Sequence, residues 1–261
     1  MVKEPASQRM LIRVEYDGTG LVGWQRQENG LSVQQFLEQA AEKLTTRPTL
    51  VQGAGRTDAG VHALGQAAHL DVPAHLDSRA VLGGLNSWLE DRRIAVLSAQ
   101  PVAADFHARF DALARHYLYR LGLRAVPGGL LRDRVWQLGR PLQLAAMQEA
   151  AACLEGRHDF TSFRAAACQA GSPVRTLDRL AVTASQDEIH ITVSARSFLH
   201  HQVRNITGSL VQVGLGKWPP QKMAAVLAAR DRRQAGQTAP PQGLYLTAVD
   251  YPEGAVSSAA G

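Results

Sequence analysis

An α+β fold of two similar halves is predicted by three features of this 261-residue sequence. Stretches of alternating apolar and polar residues read as strands, and apolar residues recurring at i, i+3 and i+4 read as amphipathic helices. These elements follow one another as strand, helix, strands, helix, strand, and the second half of the chain repeats that order. Each half then matches a split βαβ arrangement, a mainly antiparallel sheet with helices on one face. The echo lies in element order alone, because no residue-level repeat is visible. We expect halves at 1–106 and 107–253, a disordered tail at 254–261, and a central cleft between the halves for an extended ligand.

Met10 to Tyr16 forms the first strand, followed by a turn at Asp17-Gly18-Thr19-Gly20. Ser32 caps a helix and Gln35 completes a capping box. Val33, Phe36, Leu37, Ala40, Ala41 and Leu44 make its apolar face, and Pro48 ends it. Short strands follow near Thr49–Gly53 and Gln66–Val72, either side of a glycine-rich loop. Asp77 or Ser78 starts a second helix through Leu82, Leu85 and Leu89, and Ile94–Ser98 closes the half as a strand. In the second half, Phe110–Leu121 reads as a long strand with Tyr117, Tyr119 and Leu121 on one side. A helix over Leu142–Leu154 precedes strands at Leu177–Ala184 and Glu188–Ala195, which Gln186-Asp187 joins as a hairpin. Helices at Leu199–Val213 and Pro220–Ala229 and a strand at Leu244–Tyr251 complete the order.

With 45% hydrophobic and 20% charged residues, the chain can bury one large core or two moderate ones. A formal net charge of +5 and a pI near 9.6 favour a polyanionic partner. The positive charge is mostly Arg, whose planar fork suits phosphate and stacks on bases, a skew that leans toward RNA. Cys153 and Cys168 form no CxxC pair and no metal-ligand spacing, as reduced thiols would. His200-His201, the one adjacent histidine pair, lacks cysteine or carboxylate neighbours at ligand spacing, so no metal is expected. Met1 to Arg9 is polar with no signal-peptide core, and no apolar run approaches the roughly 20 residues of a membrane helix. The expected compartment is the cytoplasm, with no membrane partner.

The segment Gly55-Arg56-Thr57-Asp58-Ala59-Gly60-Val61-His62-Ala63 carries the strongest chemical signal. It sets one carboxylate, Asp58, in a glycine-bracketed loop two residues after an arginine. An aspartate in such a loop is often a turn former; beside a cation it is also a candidate nucleophile or acid/base. Nucleotide readings fail. Gly53-Ala54-Gly55 opens like a dinucleotide fingerprint, but Asp58 occupies the third glycine's place and would repel a pyrophosphate. Gly214-Leu215-Gly216-Lys217 is followed by Trp218 where a phosphate loop needs Ser or Thr. No nucleotide cofactor follows from either.

The loop resembles the signature of the tRNA pseudouridine synthase A family, and further segments carry the resemblance in order. They are Tyr16-Asp17-Gly18-Thr19, Gly23-Trp24-Gln25, Gly65-Gln66, Phe106-His107-Ala108-Arg109-Phe110, Arg115-His116-Tyr117, His158-Asp159-Phe160, Ser162-Phe163-Arg164 and Ser172-Pro173-Val174-Arg175. Phe198-Leu199-His200-His201-Gln202-Val203-Arg204-Asn205-Ile206, Thr238-Ala239-Pro240 and Gly243-Leu244-Tyr245-Leu246 follow, so the likeness spans Tyr16 to Pro252. Leu21 stands where an aromatic is usual, and Leu118 replaces a common Arg, which thins one phosphate contact.

The resemblance implies an isomerase that breaks a uridine's N-glycosidic bond, turns the base and rejoins it through C5. It further implies a homodimer acting at tRNA positions 38 to 40, in the anticodon stem-loop, without metal or cofactor. Asp58 would be the catalytic residue, Arg204 its basic partner in an ion pair, and Tyr117 the aromatic that stacks on the uracil. Tyr119, on the same strand face, is the local rival to Tyr117. Arg56 would meet the RNA backbone or hold the displaced nucleotide, with Leu244, His62 and Gln66 lining the substrate. Arg26, Arg92, Arg93, Arg164, Arg175 and Lys217 are candidate phosphate contacts. A uracil in a stem must leave the stack to reach Asp58, at a cost of a few kcal/mol that stacking on an aromatic offsets. Attack on ribose C1′, attack on uracil C6 and abstraction of a ribose proton all remain open routes. The rival reading is a catalytically silent RNA-binding or RNA-remodelling protein; the joint presence of Asp58, Tyr117 and Arg204 weighs against it.

Overall fold

The computed structural model describes residues 6–126 and 128–255. The chain forms two compact units, one drawn from Met1–Leu113 and Leu246–Gly261, the other from Ala114–Tyr245. Both mix helices with mainly antiparallel strands, as the element order predicts, and five α-helices occur among the described residues. Among those residues no helix is long and apolar enough to cross a membrane.

In the first unit, β1 (Ser7–Tyr16) runs between β3 (His62–Pro73) and β4 (Ile94–Val102), antiparallel to both. A two-residue strand β2 (Gln52–Gly53) borders β3, pairing Gln52 with His69. Met10, Ile12, Val14 and Tyr16 alternate into the core, each buried side chain contributing about 1.5–3 kcal/mol of hydrophobic stabilisation. Helix α1 (Val33–Thr45) begins as expected: Ser32 Oγ accepts from the Gln35 amide at 3.2 Å, and Val33, Phe36, Leu37, Ala40 and Ala41 are buried. Leu44 is only half-buried, against Gly84. Asp77 caps α2 (Ser78–Leu89) through the Ala80 amide at 2.7 Å. Val81, rather than Leu82, joins Leu85 and Leu89 on its buried face. Asn86 ties α2 to β4 with a reciprocal pair of 2.8 Å hydrogen bonds to Val96.

The second unit orders β5 (Ala114–Gly122), β10 (Glu188–Ala195) and β9 (Arg179–Ser185) side by side. Strands β9 and β10 form the expected hairpin, with Ser185 paired to Glu188 and Gln186 at φ 51° in the turn. Strand β5 starts at Ala114, not at Phe110, because residues 107–111 are bonded into a turn. Three short strands had no alternation long enough to read: β6 (Trp136–Gln137), β7 (Gly156–Asp159) and β8 (Val174–Leu177). Helices α3 (Leu144–Ala152), α4 (Gln202–Gly214) and α5 (Lys222–Ala229) are shorter than their apolar patterns suggest. In α4 the reason is local: His201 takes a left-handed φ of 62° and the helix starts after it.

The last strand, β11 (Leu244–Asp250), begins in the second unit and ends in the first, where it neighbours β3. The unit boundary falls after Leu113, because the turn beyond Phe106 is bonded to β3 and to Asp250 and Tyr251. The Ala108 amide donates to His69, Tyr251 donates its hydroxyl proton to Ala108 O at 2.7 Å, and the Leu113 amide reaches Asp250 O. Beyond Ala255 the tail expected to be disordered lies outside the described residues.

Candidate active site

Asp58 sits half-buried in a loop without regular secondary structure between β2 and β3. A carboxylate can be presented accurately from such a loop only if other elements fix the backbone. They do so from several sides. At the end of β1 the buried Tyr16 hydroxyl shares a 2.8 Å hydrogen bond with Thr57 Oγ1. The Trp24 amide donates to Thr57 O at 3.1 Å, and the Gly60 amide to Leu21 O at 3.3 Å. Within the loop, the Val61 amide donates to Asp58 O at 3.1 Å, across Gly60 with φ of 75°.

Two glycines upstream make this docking possible. A Cβ on Gly18 would lie 2.1 Å from Val61 O, and one on Gly23 would lie 2.3 Å from Thr57 O. Both clashes are with backbone, which no side-chain rotation relieves. The segments Tyr16-Asp17-Gly18-Thr19 and Gly23-Trp24-Gln25 are therefore the bed on which the Asp58 loop lies. Gly55 differs: a Cβ there meets nothing within 4 Å.

His62 and Gln66, read from sequence as substrate-lining, are buried against this loop and its bed. Gln66 donates from Nε2 to Gly55 O at 2.9 Å and accepts from the Ala67 amide at 3.2 Å. Nδ1 of His62 lies 3.1 Å from both the Gly18 amide and an Asp17 carboxylate oxygen. An unprotonated Nδ1 accepts from the amide and a protonated one donates to the carboxylate, so the tautomer selects between the two. Asp17 also accepts from Arg93 at 3.2 Å. Thus Arg93, a candidate phosphate contact, pairs within the turn. Arg56 is exposed on the loop, two residues before Asp58.

In the second unit, Tyr117 and Tyr119 lie two residues apart on β5 but in different surroundings. Tyr119 is fully buried, donates to Pro240 O at 2.6 Å, and has its phenol pushed well above the usual range by burial, against the opposing pull of Arg204. Tyr117 is half-buried, with its ring edge-on to Phe198 at 5.2 Å. Tyr119 is thus a core residue, whereas Tyr117 packs against Phe198 without being fully enclosed. Phe198 carried no signal of its own beyond membership of its segment.

Arg204 is one of the few residues of α4 that is not buried. Its Nε donates to Ala239 O at 2.8 Å, and the Ala239 amide returns a 3.1 Å bond to Arg204 O. The neighbouring Asn205 is fully buried. It donates to Phe163 O at 2.8 Å and accepts from Thr238 Oγ1 at 2.7 Å and Arg232 at 3.0 Å. The segment 236–240 is so close to α4 that a Cβ on Gly208 would overlap Gln237 O. Leu244, the first residue of β11, is buried.

The remaining candidate phosphate contacts divide into two groups. Arg164 and Arg175 are committed to backbone carbonyls: Arg164 to Cys168 O at 2.7 Å, Arg175 to Ser172 O at 2.9 Å and Val174 O at 2.6 Å. Burial also lowers the Arg175 guanidinium from its usual range. Arg26, Arg92 and Lys217 are exposed; Arg26 stands 3.7 Å from Glu38, and Arg92 lies over the Phe36 ring.

Comparison with known proteins matches the family model described as tRNA pseudouridine synthase to residues 12–111 and 150–252. Asp58 and Arg204 lie inside the matched segments and Tyr117 between them. The tRNA pseudouridine synthase A of Rhodospirillum rubrum is 54% identical over 244 residues, covering 94% of this chain and 88% of that protein. Its namesake in Maricaulis maris is 53% identical, with 94% and 98% covered. That of Beijerinckia indica is 52% identical over 245 residues, with 94% of each covered.

Proposed function

The chain belongs to the tRNA pseudouridine synthase family, and from that premise we propose that it isomerises uridine to pseudouridine at positions 38, 39 and 40 of the tRNA anticodon stem-loop. The observation that carries this reading is the half-buried carboxylate of Asp58 on a loop locked by Tyr16, Trp24, Gln66 and two glycine contacts. Rejoining a detached base through a different atom requires a reactive group whose position does not drift between the two half-reactions. A loop fixed by other elements meets that requirement, and fixed geometry is worth several kcal/mol of barrier.

Asp58 acts as the nucleophile or base at one face of the flipped nucleotide. Arg204, its guanidinium anchored at Nε by Ala239, supplies the cation that keeps the carboxylate ionised as uracil displaces water. Tyr117 stacks on the uracil, repaying part of the cost of unstacking. Arg56, exposed on the loop, meets the RNA backbone. The reaction changes no oxidation state, and all its atoms come from the substrate. The enzyme works in the cytoplasm as a homodimer, one subunit gripping the body of the tRNA while the other receives the loop.

Mapping pseudouridine at single-nucleotide resolution in a tRNA transcript incubated with the enzyme tests the assignment. Modification confined to positions 38 to 40 is the expected result. Modification elsewhere, with those positions untouched, would replace the proposed target. Sedimentation of the free enzyme reads the dimer separately.

A further inference from the structure

Phe110 takes no part in the uridine chemistry, yet 66% of its surface is open to solvent. A single exposed apolar side chain is ordinary. What sets this one apart is the rigidity of the turn beneath it and the groups beside it. The His107 ring lies 4.3 Å from the Phe110 ring at an interplanar angle of 39°. The Arg109 guanidinium carbon lies 5.7 Å from the same ring centre.

The backbone of the turn is bound from all sides. Arg9 donates to Phe106 O at 2.9 Å, the His107 amide to Asp111 Oδ2 at 2.7 Å, and the Ala108 amide to His69 Nδ1 at 3.1 Å. The Phe110 and Asp111 amides both donate to His107 O. The Arg109 amide donates to His107 Nδ1 at 3.1 Å, which leaves Nε2 of that neutral ring as the donor to Gln52 Oε1 at 3.0 Å. An aromatic presented this way gives up little conformational freedom when something stacks on it. The Asp111 carboxylate is turned back into the turn, where it accepts from the His107 amide.

Position and charge identify the occupant. The His107–Gln52 bond joins the turn to β2, and five residues of chain separate Gln52 from Asp58, a span of at most about 22 Å when extended. We propose that Phe110, flanked by His107 and Arg109, is a stacking platform for a nucleobase of the tRNA that flanks the target uridine. This rests on the tRNA reading of the site. Every base offers a π-face, so the platform is tolerant of sequence, and Arg109 supplies positive charge beside it.

The test measures tRNA binding at one fixed salt concentration for wild type, Phe110→Ala, Phe110→Leu and Phe110→Trp. Melting temperature, sedimentation and C5-tritium release from uracil-labelled tRNA are read on the same preparations. The expected result is a rise of about tenfold in Kd for the Ala and Leu variants, with Trp within about twofold of wild type. Fold and oligomeric state should be unchanged, and so should the salt slope, since no charge is removed. Binding unchanged in Phe110→Ala, or a Leu variant equal to wild type, overturns the platform. A shift in sedimentation on Phe110→Ala overturns it in favour of a contact between copies of the chain. Absence of tritium release by wild type would instead overturn the functional reading, whatever Phe110 does.

Discussion

In the first unit Asp58 stands on a loop without regular structure, whereas in the second Tyr117 and Arg204 stand on a strand and a helix. The loop owes its place to close backbone approaches at Gly18 and Gly23 and to side chains reaching in from β1 and β3. The strand and helix owe theirs to register and burial: Tyr117 opposite Val193, and α4 almost wholly enclosed. A loop permits a conformation that no regular element offers, but it transfers the task of holding that conformation to residues elsewhere in the chain. Damage should therefore travel differently in the two units.

The sharpest way to break this contrast is a pair of glycine substitutions. Gly18→Ala places a methyl against backbone and should cost about 1–3 kcal/mol of stability. It should also lower turnover by about 100-fold or more, as displacement of a reacting group by about 1 Å does. Gly55→Ala, in the loop itself, should leave the melting temperature unchanged or slightly raised. Equal damage from both would mean that the loop holds its own shape. Next in size, Arg204→Lys should reduce turnover by about 10- to 100-fold with tRNA binding largely kept. It retains the charge but not the fork that spans Ala239 and its other contacts; unchanged single-turnover rates would remove Arg204 from the mechanism.

The two tyrosines of β5 sharpen the comparison within one element. Tyr119→Phe leaves Pro240 O without its donor and should cost about 1–2 kcal/mol, read as a fall in melting temperature. Tyr117→Phe should keep stability and, if Tyr117 stacks on the uracil as proposed, tRNA binding, because the aromatic ring survives. Reversal of that order would exchange their roles.

The smallest effect concerns His69, whose imidazole is pushed down to about 4 by burial, with His107 and Arg9 adding to the shift. The unfolded chain binds a proton near pH 6.5 that the folded chain refuses until about pH 4. Stability should therefore fall as pH drops through that interval, by on the order of 2 kcal/mol. His69→Gln, which retains an acceptor for Ala108, should flatten that slope in pH-dependent melting curves.

Much of the fold was legible because its signals are local. The Ser32 and Asp77 caps, the Gln186-Asp187 hairpin and the alternation of β5 each depend on a few adjacent residues. The errors came from distance. Phe110 looks like strand but is held in a turn by His69 and Asp111, and β11 serves both units, which no linear order announces. Among the candidate site residues, Asp58 stands out in its own loop. The contacts of His62, Gln66 and Arg93 do not, since each involves a partner that sequence does not place beside it. Gly18 and Gly23 stood in recognisable segments, but only the contact with Val61 O and Thr57 O explains why those positions lack side chains.

The central claim, that a locked Asp58 performs the isomerisation, is tested most directly by C5-tritium release from uracil-labelled tRNA, comparing wild type with Asp58→Asn at equal occupancy. The account predicts release by wild type alone, with both proteins binding tRNA with similar affinity and melting at similar temperature. Release by a correctly folded Asp58→Asn protein at the wild-type rate would contradict it.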